Sequence, residues 1–461
     1  MNRYLQDGFA PVADELTAFD LRVTGTLPDH LDGRYLRIGP NPASDPGEAY
    51  HWFLGEGMVH GVRIEDGRAR WYRNRWVRPD DGDFAPNTHV VQHAGRTMAL
   101  VEAGSPPYEL TEELDTVGRC GFAVDLAAGY TAHPHEDPAT GELHAVSYSW
   151  TRGNKVDYSV LDTSGRIRRQ VEVEVTGSPM MHDFGLTEHY AVIYDLPVTF
   201  DLDMAAGDPP RPVRRAAETA RNRALGRDAA PDTVVEAAAR GRGEPSRLPY
   251  SWDADYPARI GLLPREGTSA DVRWFEIDPC YVFHTLNAYE DGDLVVIDAV
   301  RHERMFATDF TGPHEGLSSL VRFTVDTVAG TVREHRYDEH SQEFPRHDER
   351  LTGACHRYGW SVGFDGVASG DVVLKHDVHA GSTMARRLGA GKEVGEFCFV
   401  PHAHDAAEGA GVIMGYVHDR PSGLSDLVLL DAQTLEDVAA VHLPGRVPAG
   451  FHGSWAPAAG S

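Results

Sequence analysis

The feature that most constrains this chain is a hairpin signature that keeps returning: a strand-forming run, a turn carrying Asp or Gly, then a second strand-forming run. It recurs at Gly61–Trp71 (GVRIEDGRARW), Val160–Ile167 (VLDTSGRI), Phe323–Val332 (FTVDTVAGTV) and Leu429–Val438 (LLDAQTLEDV). β-Branched residues fit a pleated surface, Asp can hydrogen-bond its own backbone at a turn, and Gly accepts positive φ there. A hairpin repeated across most of 461 residues predicts a repeated antiparallel sheet. The economical all-β solution at this length is a β-propeller, because radial repetition protects sheet edges. A large multi-sheet sandwich is the other solution the pattern leaves open, and the repeats are too degenerate to count blades.

One stretch breaks the pattern. From Arg211 to Arg247 nine arginines stand against five acids, among many alanines. Ala, Arg and Glu favour helix, but Gly226, Pro231, Gly241 and Gly243 interrupt it. We read a partly helical, solvated insertion at about 211–247 within a single domain of residues 1–461, not a domain boundary.

Charge and composition then remove whole classes of function. Seventy acids against 43 bases give a formal charge of −27, and such a surface repels phosphate backbones, which excludes nucleic acid as a partner. The start, Met1–Ala10 (MNRYLQDGFA), has no basic segment leading into an apolar run, and no apolar stretch approaches the ~20 residues that cross a bilayer. Cys120, Cys280, Cys355 and Cys398 are scattered, without a C-x-x-C pair. These features predict a cytoplasmic protein whose contact with a membrane would be peripheral, through an apolar patch. Nothing here fixes the oligomeric state.

Histidine is the unusual component, with 24 copies. Four contexts stand out: TAHPHEDP at Thr131–Pro138, MMHDFGLT at Met180–Thr187, PCYVFHTLNAYE at Pro279–Glu290 and PAGFHGSW at Pro448–Trp455. In each, a histidine sits at the edge of an apolar or small-residue stretch, where a strand would deliver it to a common centre. Ligands this far apart in sequence are expected when different blades each supply one. Imidazole suits Zn, Cu, Fe and Ni, and no cysteine is placed to make a soft site. There is no H-E-x-x-H zinc motif. By spacing alone, His402 and His404 (PHAH) are as good a metal pair, so the pattern does not choose among the candidates.

The contexts resemble the carotenoid cleavage oxygenase family, and the likeness runs almost end to end. It covers Gly33–Pro42 (GRYLRIGPNP), His51–Val62 (HWFLGEGMVHGV), Asn87–Val91 (NTHVV), Met98–Gly104 (MALVEAG), the histidine motifs, Glu343–Arg350 (EFPRHDER) and Gly395–Pro401 (GEFCFVP). The resemblance implies a seven-bladed β-propeller with a helical and loop dome over the iron-bearing axis. It implies Fe(II) held by His133, His182, His284 and His452, with His135, His402 and His404 set aside. Glu102, Glu343 and Glu396 match the family's outer glutamates, which support three of the four histidines, not His133; the individual pairings are not readable. Thr88 falls where a threonine methyl crowds one iron position, leaving another for O₂ as co-substrate.

The implied activity is dioxygenase cleavage of a conjugated C=C bond in an apolar polyene, to two carbonyl products. Stilbene-cleaving members carry a lysine just before the first outer glutamate. Here that residue is Val101, and Trp76–Pro86 (WVRPDDGDFAP) is too short for their phenol-contacting tyrosine to be placed. An apolar residue there suits a carotenoid or apocarotenoid better than a phenol. A stilbene cleaver, a propeller that binds carotenoid without catalysis and a polyene isomerase are the competing readings.

Overall fold

The turns close as their residues dictate. Asp66 (φ 50°) and Gly67 (φ 65°) both adopt the left-handed region, so Gly57–Glu65 and Arg68–Trp76 join through a two-residue turn whose twist matches the strands. The other three hairpins also form: Lys155–Leu161 with Ile167–Glu174, Ser318–Asp326 with Thr331–Arg336, and Leu424–Asp431 with Asp437–His442. In this computed structural model all residues are described except 1, 49, 123–125, 127–128, 202–247, 314, 365–369 and 459–461.

The hairpins belong to seven antiparallel sheets of four to six strands, the blades of a β-propeller. Blade 1 contains Gly33–Pro40, Gly57–Glu65 and Arg68–Trp76; blade 2 runs from His89–His93 to Thr116–Arg119, and blade 3 from His135–Asp137 to Ile167–Glu174. Blade 4 spans Gly185–Leu186 to Arg273–Glu276, blade 5 Tyr281–Asp291 to Thr331–Arg336, blade 6 Gln342–His347 to Ser382–Arg387, and blade 7 Lys392–Val394 to Asp437–His442. Among the described residues the only helical elements are five 3₁₀ turns, and none of them is α-helix.

Two long-range pairings close the ring. Gly453–Pro457 lies antiparallel to Gly33–Pro40 in blade 1, and Val23–Gly25 forms the outer edge of blade 7 against Asp437–His442. In blade 4 a separate ribbon pairs Val198–Phe200 with Tyr250–Trp252, so the chain leaves and returns at one place. The Arg/Ala-rich stretch at about 211–247 falls outside the described residues.

Gly33–Pro40 and most of Tyr281–Asp291 are buried along their length, polar residues such as Arg34, Arg37, His284 and Asn287 included. Outer strands such as Ile167–Glu174 (IRRQVEVE) alternate, because one face meets the next blade and the other meets water. Blade faces interlock through rings: Trp360 stacks on Phe399 with centroids 5.0 Å apart, and Tyr35 meets Tyr416 edge-on at 4.9 Å. Each such buried aromatic removes a large apolar area from water, which is the main favourable term holding blades together.

Three histidines buried between strands carry a measurable consequence. Burial pushes His144 down to about 3, helped by Arg265, whose guanidinium donates to His144 Nε2 at 2.9 Å. Burial likewise pushes His356 and His376 down to about 4. In the unfolded chain these side chains take up protons below about pH 6.5, while in the fold they stay neutral. Their contribution is therefore intact above that pH and is lost as pH falls towards 4. Between pH 7 and pH 5 each should remove on the order of 2 kcal/mol of stability. Denaturant titrations at the two pH values measure the loss; equal stabilities would show that these rings protonate freely in the fold.

Candidate metal centre

Each of the seven blades brings one residue of the sequence-derived set to the middle of the ring. His452 immediately precedes the closing strand Gly453–Pro457 of blade 1. Glu102 follows Arg96–Leu100 in blade 2, His133 precedes His135–Asp137 in blade 3, and His182 precedes Gly185–Leu186 in blade 4. His284 lies inside Tyr281–Asp291 of blade 5, Glu343 inside Gln342–His347 of blade 6, and Glu396 just before Cys398–Pro401 of blade 7. Local irregularities aim the side chains. The ladder slips on both sides of His284, between Val282 and Asn287, and again between Glu343 and Arg346. Such bulges turn a side chain out of the regular alternation. Ala103 (φ 66°) and Phe344 (φ 55°), each following an outer glutamate, sit in the left-handed region. That conformation costs a non-glycine residue roughly 1–2 kcal/mol, which the surrounding packing must hold.

His133, His182, His284 and His452 converge with one ligand atom from each within 4.8 Å of every other. Nε2 of His182 lies 3.0 Å from that of His133 and 3.2 Å from that of His284. All four residues are at most 8% exposed. Behind three of the rings stand carboxylates. Nδ1–H of His182 donates to Glu102 Oε2 at 2.8 Å, that of His284 to Glu343 Oε2 at 2.5 Å, and that of His452 to Glu396 Oε1 at 2.9 Å. His133 has no carboxylate partner among the hydrogen bonds of the described residues.

These contacts fix the tautomer, because an ionised carboxylate only accepts. With the proton on Nδ1, three Nε2 lone pairs point at one another in a buried space. That is repulsive alone and suits a cation, so the cluster fits a metal site. At two of the rings the protonation state agrees. Burial, reinforced by neighbouring histidines, holds His133 and His452 well below the usual histidine range, so both are neutral donors. Burial would raise the Glu343 carboxyl, but His284 and His302 hold it below the usual carboxylate range. Burial would lower His284, but the Glu343 carboxylate outweighs it and raises that ring above the usual histidine range, an effect a cation at Nε2 would oppose.

The remaining candidates sort by position. Thr88 is buried beside the cluster: its carbonyl accepts the N–H of His452 at 3.0 Å and its hydroxyl donates to Asn87. His135 points away, Nε2 donating to Asp183 at 2.8 Å. His402 packs edge-on against His30 at 5.2 Å, and neither His402 nor His404 belongs to the cluster. Phe283 packs on His182 at 5.3 Å, Phe344 on His452 at 5.3 Å, and Phe53 meets Phe283 at 6.1 Å. Apolar rings therefore pack against His182 and His452.

Sequence reasoning missed the layer behind the carboxylates. His302 Nε2 donates to Glu343 at 2.6 Å, and Arg346 Nη1 donates to Glu396 at 3.1 Å and to the Gly453 carbonyl at 3.0 Å. Arg346 lies in EFPRHDER, three residues from Glu343, so its motif was visible but its target was not. His302 ends a strand whose pattern gives no such signal.

A seven-bladed propeller with four central imidazoles, three of them backed by carboxylates, is an arrangement that fits a metal site made of histidine alone. The family model described as retinal pigment epithelial membrane protein (RPE65) matches residues 9–83 and 80–457. A carotenoid cleavage oxygenase of Mycobacterium tuberculosis (strain ATCC 25618 / H37Rv) is 50% identical, over 99% of this chain and 98% of that protein. The chain belongs to this family, the carotenoid cleavage oxygenases. Two solved structures share the fold. The crystal structure of Pseudomonas brassicacearum lignostilbene dioxygenase has a TM-score of 0.83 at 24% identity, and that of cobalt-substituted Synechocystis apocarotenoid oxygenase 0.81 at 23%; each match covers 98% of both chains. Among the described residues no helix is long and apolar enough to cross a membrane.

Proposed function

We propose that this protein is a non-haem iron(II) dioxygenase that cleaves a conjugated C=C bond of a carotenoid or apocarotenoid, consuming O₂ and giving two carbonyl products. The observation that carries the reading is the convergence of three carboxylate-backed imidazoles and a fourth on one buried point. His133, His182, His284 and His452 would hold the iron through Nε2. Bound there, Fe(II) supplies the redox chemistry by which O₂ is spent on a carbon–carbon double bond. Glu102, Glu343 and Glu396 fix three of the rings and offset the metal's charge in a site with little water to do so.

The protein's other contributions are shape and dryness. With its hydroxyl engaged by Asn87, Thr88 is left to present its methyl, which would crowd one position beside His452. Phe53, Phe283 and Phe344 offer ring faces to an extended apolar substrate, and the names of relatives agree with a polyene. Val101, buried beside Glu102, offers no charge to a phenol oxygen, which favours a polyene over a stilbene. The ring acts as one domain, with the stretch at about 211–247 an insertion in blade 4. A polyene partitions into lipid, so peripheral contact of a cytoplasmic protein with a membrane belongs to the same proposal.

The test is conversion. Iron-loaded protein is incubated under O₂ with apocarotenoids of graded length and, in parallel, with a 4-hydroxystilbene, and products are identified by mass. Aldehyde or ketone pairs from the polyenes are the expected result. Faster cleavage of the stilbene would overturn the substrate assignment. A metal-free protein that retains carotenoid unchanged would overturn the enzymatic one.

A further inference from the structure

Outside the seven residues of the centre, one buried carboxylate touches three of the four ligand-bearing segments. Asp183 directly follows His182, and its side chain is 2% exposed. Its Oδ1 accepts the N–H of Phe184 at 2.7 Å and Nε2–H of His135 at 2.8 Å. Its Oδ2 accepts the N–H of Thr285 at 2.7 Å. Thr285 directly follows His284, and His135 lies two residues beyond His133. The segment of His452 is held separately. The N–H of His452 donates to Thr88, the N–H of Gly453 donates to Glu396, and the Gly453 carbonyl accepts from Arg346.

We propose that Asp183, with His135 as its partner, is a positioning residue that sets the spacing of His133, His182 and His284 before a metal arrives. The proposal rests on the metal-centre reading above. Glu102, Glu343 and Glu396 control how each ring is turned, but each ties its histidine to a different blade rather than to another ligand segment. Asp183 ties ligand segment to ligand segment, across blades 3, 4 and 5. Facing Nε2 lone pairs push those segments apart when no cation is present, and two hydrogen bonds into a charged, buried acceptor, from His135 and from the Thr285 N–H, resist the push. Bonds to an ionised acceptor are about twice as strong as neutral ones. A site already spaced for its ligand binds more tightly, because less ordering is left for the binding step. His135, the histidine of AHPHEDP that the metal does not need, thereby acquires a role.

Asp183→Asn tests this. The amide keeps the size of the carboxylate, but one of its two ends is an NH₂ group that cannot accept from Phe184 N–H or Thr285 N–H. Metal-free wild-type and variant proteins are titrated with Co(II), following visible absorption, release rate and thermal midpoint with and without the metal. The expected result is an affinity about 10–100-fold lower, faster release, an altered Co(II) spectrum at saturation, and a smaller rise in thermal midpoint on adding metal. Equal losses of stability with and without Co(II), together with wild-type affinity and spectrum, would reduce Asp183 to a fold-supporting residue and overturn the proposal. Should Asp183→Asn not fold, His135→Ala decides, since it removes one donor and leaves both backbone bonds. A smaller affinity loss in the same direction supports the pairing, and unchanged affinity overturns it. Failure of the wild-type protein to bind Co(II) at all would instead overturn the metal-centre reading itself.

Discussion

Replacing His284 by Ala should abolish product formation and metal retention together. The substitution removes one of four convergent Nε2 atoms and also strands Glu343, which is buried and loses its shortest donor while keeping His302 and the Phe344 N–H. A buried carboxylate deprived of a partner is costly in its own right, by about 1–3 kcal/mol or more. The affinity loss should exceed the roughly 10–100-fold that follows from removing an outer partner, because a direct ligand is gone as well. Metal analysis after desalting, the Co(II)-induced change in thermal midpoint and turnover of an apocarotenoid should all collapse to background. Iron content and turnover at wild-type levels would remove His284 from the centre, and with it the proposed function.

Glu343→Gln should produce the second largest effect and isolates charge from shape. The glutamine amide fills the same volume, and its carbonyl oxygen can still receive Nδ1–H of His284. What disappears is the negative charge held behind that ring, together with one of the acceptor positions now shared by His284, His302 and Phe344. Metal affinity or turnover should drop on the order of 10–100-fold, with the fold and the other three histidines unchanged. Two measurements separate the possibilities: a metal titration reports the ground-state effect, and kcat at saturating iron reports what the charge does beyond binding. Retention of both would mean that a different carboxylate supports His284.

Much of this architecture was legible because it is local. The four hairpins follow from short strand-turn-strand patterns. The motif resemblance singled out the four histidines that converge, and it left His133 as the ring without a carboxylate. What was not legible is relational. No local pattern says that Val23–Gly25 and Gly453–Pro457 seal opposite edges of the seam through partners hundreds of residues away. The pairing of Glu343 with His284 depends on bulges at those two residues, which shift register without a marker in the sequence, and those of Glu102 with His182 and Glu396 with His452 join separate blades. Asp183 is visible beside His182 in MMHDFGLT, yet its bond to Thr285 joins two blades, and no one-dimensional pattern encodes that.

The seam has a consequence in time. Three of the converging imidazoles are in the chain by the first strand of blade 5, whereas His452 arrives with the strand that shuts the ring. At about 5–20 residues per second, His133 leaves the ribosome roughly 15–60 s before His452. Throughout that interval a nascent chain can offer at most three of the four nitrogens, with Glu396 also late to arrive. On the proposed function, a chain that stalls or is clipped short of its last blade would offer three nitrogens rather than four and would hold a metal ion less tightly.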